Sequence, residues 1–149
     1  PISLGSILQD EKDVPKKFYI SDKEILKKFQ YLRGAKRIER TSANGHSYIY
    51  SEGGMSPTDD LSLPGRTMLT SEGTLNRSTH FIEVNGKYRL LTPIEAERLQ
   101  DFPDNWTATK RLADGTITSV SDKMRMFFMG NALVTEIVRK IGEFIIDID

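Results

Sequence analysis

The stretch from Thr79 to Leu90 constrains the fold of this chain more tightly than any other. Two short runs of strand character flank Asn85-Gly86, and Asn-Gly supplies the positive backbone angles that a two-residue turn requires. The spacing predicts a β-hairpin with strands over Thr79–Val84 and Lys87–Leu90. A helix start follows at once. Thr92 is placed to cap, Pro93 to take the first helical position, and Glu95 to reach back to the cap. Phe102-Pro103-Asp104 then stops the helix, so it is short. A hairpin feeding a capped helix puts the chain among the α+β folds.

Other segments are less regular. Ser21 and Glu24 have the spacing of a second capping box, after which Ile25, Leu26, Phe29 and Leu32 recur at helical intervals until Gly34. From about Ile38 to Gly73 the period is lost among Ser, Thr, Gly, Asn and Pro, which predicts loops with two short strands, around Ser47–Tyr50 and Arg66–Thr70. A polar loop follows the short helix. At the carboxy terminus Val134, Ile137, Val138, Ile141, Ile145 and Ile148 form one apolar stripe at helical spacing, with too little obvious partner surface inside the chain. No internal repeat or low-complexity segment is evident.

Composition removes several functions. The chain has 149 residues and no cysteine, so disulfides, thiolate metal sites and thiol nucleophiles are all excluded from it. His46 and His80 are too far apart for a local metal motif, and no metal is expected. No apolar run approaches the roughly 20 residues that span a bilayer. The first residues lack the pattern of a secretory signal, so a cytoplasmic location and no membrane partner are expected. Net charge is zero, which argues against binding nucleic acid by bulk electrostatics. The charge is unevenly placed, however: Lys16 to Arg40 holds nine basic residues against Asp22, Glu24 and Glu39. Such a cluster fits either a phosphate track or a solvated helix face.

The segment RLLTPIEAERLQDFPDNW, Arg89 to Trp106, closely resembles the ninth sequence motif of bacterial cytosine-5 DNA methyltransferases. MGNALV, Met129 to Val134, resembles the tenth. Their order, the short variable loop between them and the apolar helix after the second are as that family has them. The preceding region, ending in GRTMLTSEGTLNRSTHFIEVNGKYR, is similar to the family's target recognition domain. Together these cover nearly the whole chain.

The resemblance implies an enzyme that flips a cytosine out of duplex DNA, attacks its ring with a cysteine, and transfers a methyl group from S-adenosylmethionine to the 5-position. In the family the cysteine, a glutamate, an arginine-containing motif and the Gly-rich cofactor loop all lie upstream of the recognition region, and none is present here. The chain is therefore expected to be inactive alone, as a fragment or the smaller subunit of a split enzyme, with no catalytic residue of its own. Its expected partners are double-stranded DNA and the catalytic portion of the same methyltransferase, with S-adenosylmethionine shared between them. The expected architecture is an irregular strand-and-loop recognition domain over residues 1–106, which includes the ninth-motif helix. Residues 107–149 would supply a hinge loop and a helix that completes a Rossmann-like methyltransferase domain.

Site residues follow by the same resemblance. Asn131, Ala132 and Leu133 are expected to complete the S-adenosylmethionine pocket, with Asn131 at a helix start; the alternative is that Asn131 merely caps the final helix. For base reading, loops must present short polar and planar groups to the major groove. Candidates are Arg66, Thr67, Thr70, Ser71, Arg77, Ser78 and His80, with Arg66 and Arg77 favoured for guanine. Asn44 and His46 lie on a second loop that could reach the space left by a flipped base, or form a plain turn. Glu95, Glu97 and Arg98 are expected to bridge loops structurally, with Arg98 bonding backbone carbonyls, and Trp106 to pack at the hinge. The rival reading is a stand-alone sequence-specific DNA-binding or partner-docking module.

Overall fold

The structure, a computed structural model, describes residues 2–146. Ile148, the last member of the apolar stripe, lies outside them. In chain order the regular elements are β1 (Tyr19–Ile20), α1 (Lys23–Arg33), β2 (Lys36–Thr41), β3 (Ser47–Glu52), β4 (Phe81–Val84), β5 (Lys87–Leu90), α2 (Pro93–Leu99), β6 (Thr109–Arg111), β7 (Ile117–Ser119), α3 (Asp122–Asn131) and α4 (Thr135–Ile146). Mixed helix and small antiparallel sheets make this an α+β chain.

The hairpin forms as its sequence dictates. β4 and β5 pair antiparallel from Phe81↔Leu90 to Val84↔Lys87, and Asn85 and Gly86 take φ of 51° and 73°. β1 adds to the other edge of β5, giving the order β1-β5-β4. α1 lies on this sheet through Phe29, whose ring stacks on Phe81 at 4.2 Å. Its cap is Asp22 and not Ser21: the Asp22 Oδ1 accepts the Glu24 N–H at 2.8 Å. A carboxylate bonds that amide as well as a hydroxyl does and adds a charge that suits the helix start.

One core joins the amino-terminal turn to the elements that follow the hairpin. Leu4 and Ile7 pack with Met68, Ile82, Leu91, Ala96, Met126 and Met129, all buried. The core thus includes residues on both sides of position 106. α2 is held by the complete capping box, with the Thr92 side chain accepting from Glu95 N and the Glu95 carboxylate accepting from Thr92 N at 2.8 Å.

Three segments differ from expectation. β2 falls where an irregular run was expected. Its two faces read Lys36, Ile38, Arg40 and Arg37, Glu39, Thr41, so no hydrophobic alternation marks it. Residues 66–70 form no strand, because side chains and not a ladder hold that backbone: Arg66 is bound to Asp59 and Met68 enters the core. The polar loop after α2 contains the β6–β7 ribbon and then α3, capped by Ser121. Asn131 accordingly ends α3 and does not start α4. Its Nδ2 donates to Phe127 O at 2.9 Å, one turn back within the same helix.

Candidate functional site

The loop from Arg66 to His80, which carries most of the predicted base-reading residues, is built around buried charge. Asp59 is its hub. Arg33, fully buried on α1, donates to Asp59 Oδ2 at 2.7 Å and to the carbonyls of Thr79 and Ser56. Arg66 meets the same carboxylate with its planar fork, Nε to Oδ1 at 2.6 Å and Nη2 to Oδ2 at 3.2 Å, and donates to Ser78 O at 3.0 Å. The Phe81 N–H also points at Oδ2, at 2.8 Å. Burial alone would raise the Asp59 carboxyl, but the bonds from Arg66, Arg33 and Phe81 outweigh it and hold it below the ordinary carboxylate range. The loop is thereby tied to α1 and β4.

The predicted base readers divide under this arrangement. Thr67, Thr70 and Ser71 are exposed, and Ser78 is half-buried. Arg66 spends its fork on Asp59. Arg77 pairs with Glu52 at 2.8 Å and donates to Gly53 O, so it ties the loop to the base of the β2–β3 ribbon. His80 is fully buried beside Glu72: its backbone N–H donates to Glu72 Oε1 at 2.6 Å, and its ring Nδ1 lies 3.2 Å from Oε2. In this conformation His80 has no surface to offer a base. Asn44 and His46 sit, exposed, in the tight turn that joins β2 to β3, where Gly45 has φ of 82° and Asn44 Oδ1 accepts the Ser42 hydroxyl.

The tenth-motif segment lies against the same loop. Gly130 is in α3, and a Cβ built on it would fall 2.3 Å from Leu69 O and 2.4 Å from Thr70 N. Only glycine permits that approach of helix to loop. Beyond it Asn131 and Leu133 are exposed and Ala132 is half-buried, with Ala132 extended between the two helices. Ala132 and Leu133, with Thr67 and Met68, border a groove of about 430 Å³ whose far wall is Val134 and then Ile137, Val138 and Ile141 of α4; Asn131 does not line it. α4 buries none of its residues; Ile137, Ile141 and Ile145 are each more than half exposed. It is tied at its start, where Thr135 donates to Asp101 O at 2.7 Å and to Gln100 O at 3.2 Å.

The ninth-motif helix supports all of this from below. Glu97, fully buried, accepts from Asn105 N, Thr107 N and Arg125 Nη2 at 2.7, 2.9 and 2.9 Å, and so joins α2 to α3. Arg98 donates to the carbonyls of Ile7 and Leu8 and grips Asp104. Gln100 donates to Met129 O at 2.8 Å. Trp106 stays exposed, tilted against Phe102 at 6.3 Å. Sequence reasoning missed Asp59, Glu52 and Arg125. An acidic residue inside a loop carries no local pattern that reveals the two arginines converging on it from other elements.

A family model described as C-5 cytosine-specific DNA methylase matches residues 3–147. The chain is 53% identical over 148 residues to the Type II methyltransferase M.Sau3AI of Staphylococcus aureus, an alignment that covers 99% of this chain and 33% of that protein. It thus spans about a third of the length of this relative. No solved structure matches. With a match over almost its entire length, the chain belongs to the C-5 cytosine-specific DNA methylase family.

Proposed function

We propose that this chain is the DNA-recognition and cofactor-pocket-completing part of a DNA (cytosine-5)-methyltransferase that acts on a cytosine flipped out of a specific duplex site, in restriction and modification. One observation carries the proposal: Gly130 presses α3 onto the Leu69–Thr70 peptide, so the segment offered to DNA and the segment offered to the cofactor are one mechanical unit. Asn131, Ala132 and Leu133 form an open ledge that fits one wall of an adenosyl pocket. The Oδ1 of Asn131 takes no partner among the described residues and is available to a ligand. S-adenosylmethionine, when bound, supplies the methyl group. The remaining wall, and the thiolate that attacks the ring, come from the catalytic portion, because this chain has no cysteine.

Residues 1–106 serve recognition, and α4 completes the Rossmann-like domain of the catalytic portion by burying its apolar face there. Thr67, Thr70 and Ser71 are the exposed base readers on the first loop, and Asn44 and His46 on the second. Arg66 and Arg77 hold these loops in place, and either reaches a guanine only by releasing its carboxylate.

The test is Gly130→Ala in the enzyme assembled with its catalytic portion. Separating α3 from the loop should raise the KM for DNA and the KM for S-adenosylmethionine together. A change in neither, with the variant folded by circular dichroism, would overturn the coupling.

A further inference from the structure

The β2–β3 ribbon has no counterpart in the core. Each strand has six residues, paired from Lys36↔Glu52 to Thr41↔Ser47, and beyond its first rung nearly every residue is exposed on both faces. A lone two-stranded hairpin is marginal in water, and this one also exposes Tyr48 and Ile49. Its length, about 20 Å at a strand's rise per residue, exceeds the roughly 8.5 Å depth of the DNA major groove. That groove admits a two-stranded ribbon.

The side chains give the ribbon its polarity. Arg40 stacks over Tyr50 at 4.1 Å, next to Tyr48 across the ladder, which leaves an arginine supported on an aromatic platform. Arg37 stands on the opposite face with no carboxylate partner among the described residues. At the base, Glu52 is gripped by Lys36 at 3.0 Å and by Arg77 at 2.8 Å. This clamp fixes the ribbon's exit from the recognition loop and leaves Arg37 and Arg40, one per face, without a carboxylate partner among the described residues. α1 adds the exposed Lys23 and Lys28 just before the ribbon. A polyanion is the partner that such a surface fits.

We infer that the ribbon enters the major groove of duplex DNA tip first, with Asn44 and His46 at base edges and Arg37 and Arg40 on the phosphates of the two groove walls. The inference rests on the proposed DNA-recognition role and assigns it a docking element. The clamp of Lys36, Glu52 and Arg77 is a positioning device that sets the ribbon's angle.

The test measures binding of the full chain to a random-sequence duplex by fluorescence anisotropy at several salt concentrations. Replacing both arginines, Arg37→Gln with Arg40→Gln, should lower the slope of log K against log salt by about 2 and weaken binding roughly tenfold or more at 0.1 M salt. The charge-preserving pair Arg37→Lys with Arg40→Lys should restore most of the slope, which separates lost phosphate contacts from misfolding. On a duplex selected by the chain from a random library, dimethyl sulfate should show guanine N7 protected, the major-groove atom, and the Gln pair should lose that protection. An unchanged slope in the Gln pair, or protection of minor-groove adenine N3 alone, would overturn the ribbon assignment while leaving DNA recognition intact. Failure of the unaltered chain to bind any duplex would overturn the recognition role itself.

Discussion

At the scale of single residues, buried charge holds the loop from Arg66 to His80. Asp59 pairs with Arg33 and Arg66 at once, and Arg33 is almost wholly shielded from water. Removing the carboxylate strands a buried guanidinium, which costs more than the pair itself contributes. Asp59→Ala should therefore destabilise the chain by about 3–5 kcal/mol, read from urea unfolding at neutral pH. The pH dependence has a definite sign. A carboxyl held low in the folded state contributes stability above its unfolded value, about 3.9, and loses it as pH falls through the lower folded value. The difference between wild type and Asp59→Ala should accordingly narrow below about pH 4. An equal difference at pH 7 and pH 3 would show that packing, not charge, is what the substitution removes. None of this hub was legible in the sequence. In sequence an arginine in a polar loop looks free to read guanine, and the carboxylate that Arg66 grips lies seven residues earlier with no periodic relation to it.

At the scale of elements, legibility tracked how local the determinants are. The β4–β5 hairpin and the α2 capping box are specified within a few consecutive residues, and both form as predicted. β2 and α3 were missed because their partners are distant or their pattern is masked. β2 has no apolar face, and α3 hides its buried Met126 and Met129 among exposed Met124, Phe127 and Phe128. The helix boundary at Asn131 was misplaced for the same reason: a Gly-Asn pair reads as a break, whereas Gly130 is in the helix to admit the Leu69–Thr70 peptide. The α4 stripe was legible, since helical periodicity is enough to show it, and the structure leaves it uncovered. Each such side chain gains roughly 1.5–3 kcal/mol on full burial, so the exposed stripe is adhesive. Replacing Ile137 and Ile141 with Ser should reduce self-association in sedimentation while abolishing activity with the catalytic portion. Amides 135–146 should exchange rapidly in the monomeric chain and gain protection when that portion is added. Strong protection in the monomer would show that α4 already has its partner.

At the scale of the whole molecule, zero net charge conceals a division of labour. Basic residues gather on α1 and the β2–β3 ribbon, while the opposite end of the chain presents an apolar helix. One end suits a polyanion and the other a protein core. Among the described residues no helix is long and apolar enough to cross a membrane. The family was legible because the order of its two motifs survives in sequence; the placement of the site was not, because it depends on Asp59, Glu52 and Gly130 meeting residues from other elements. The most direct measurement is incorporation of tritiated methyl groups from S-adenosylmethionine into duplex DNA by this chain, by its matching catalytic portion, and by their mixture. The chain alone should transfer none, and the mixture should be active where neither part is. Appreciable incorporation by the chain alone would contradict the assignment of recognition here and chemistry elsewhere.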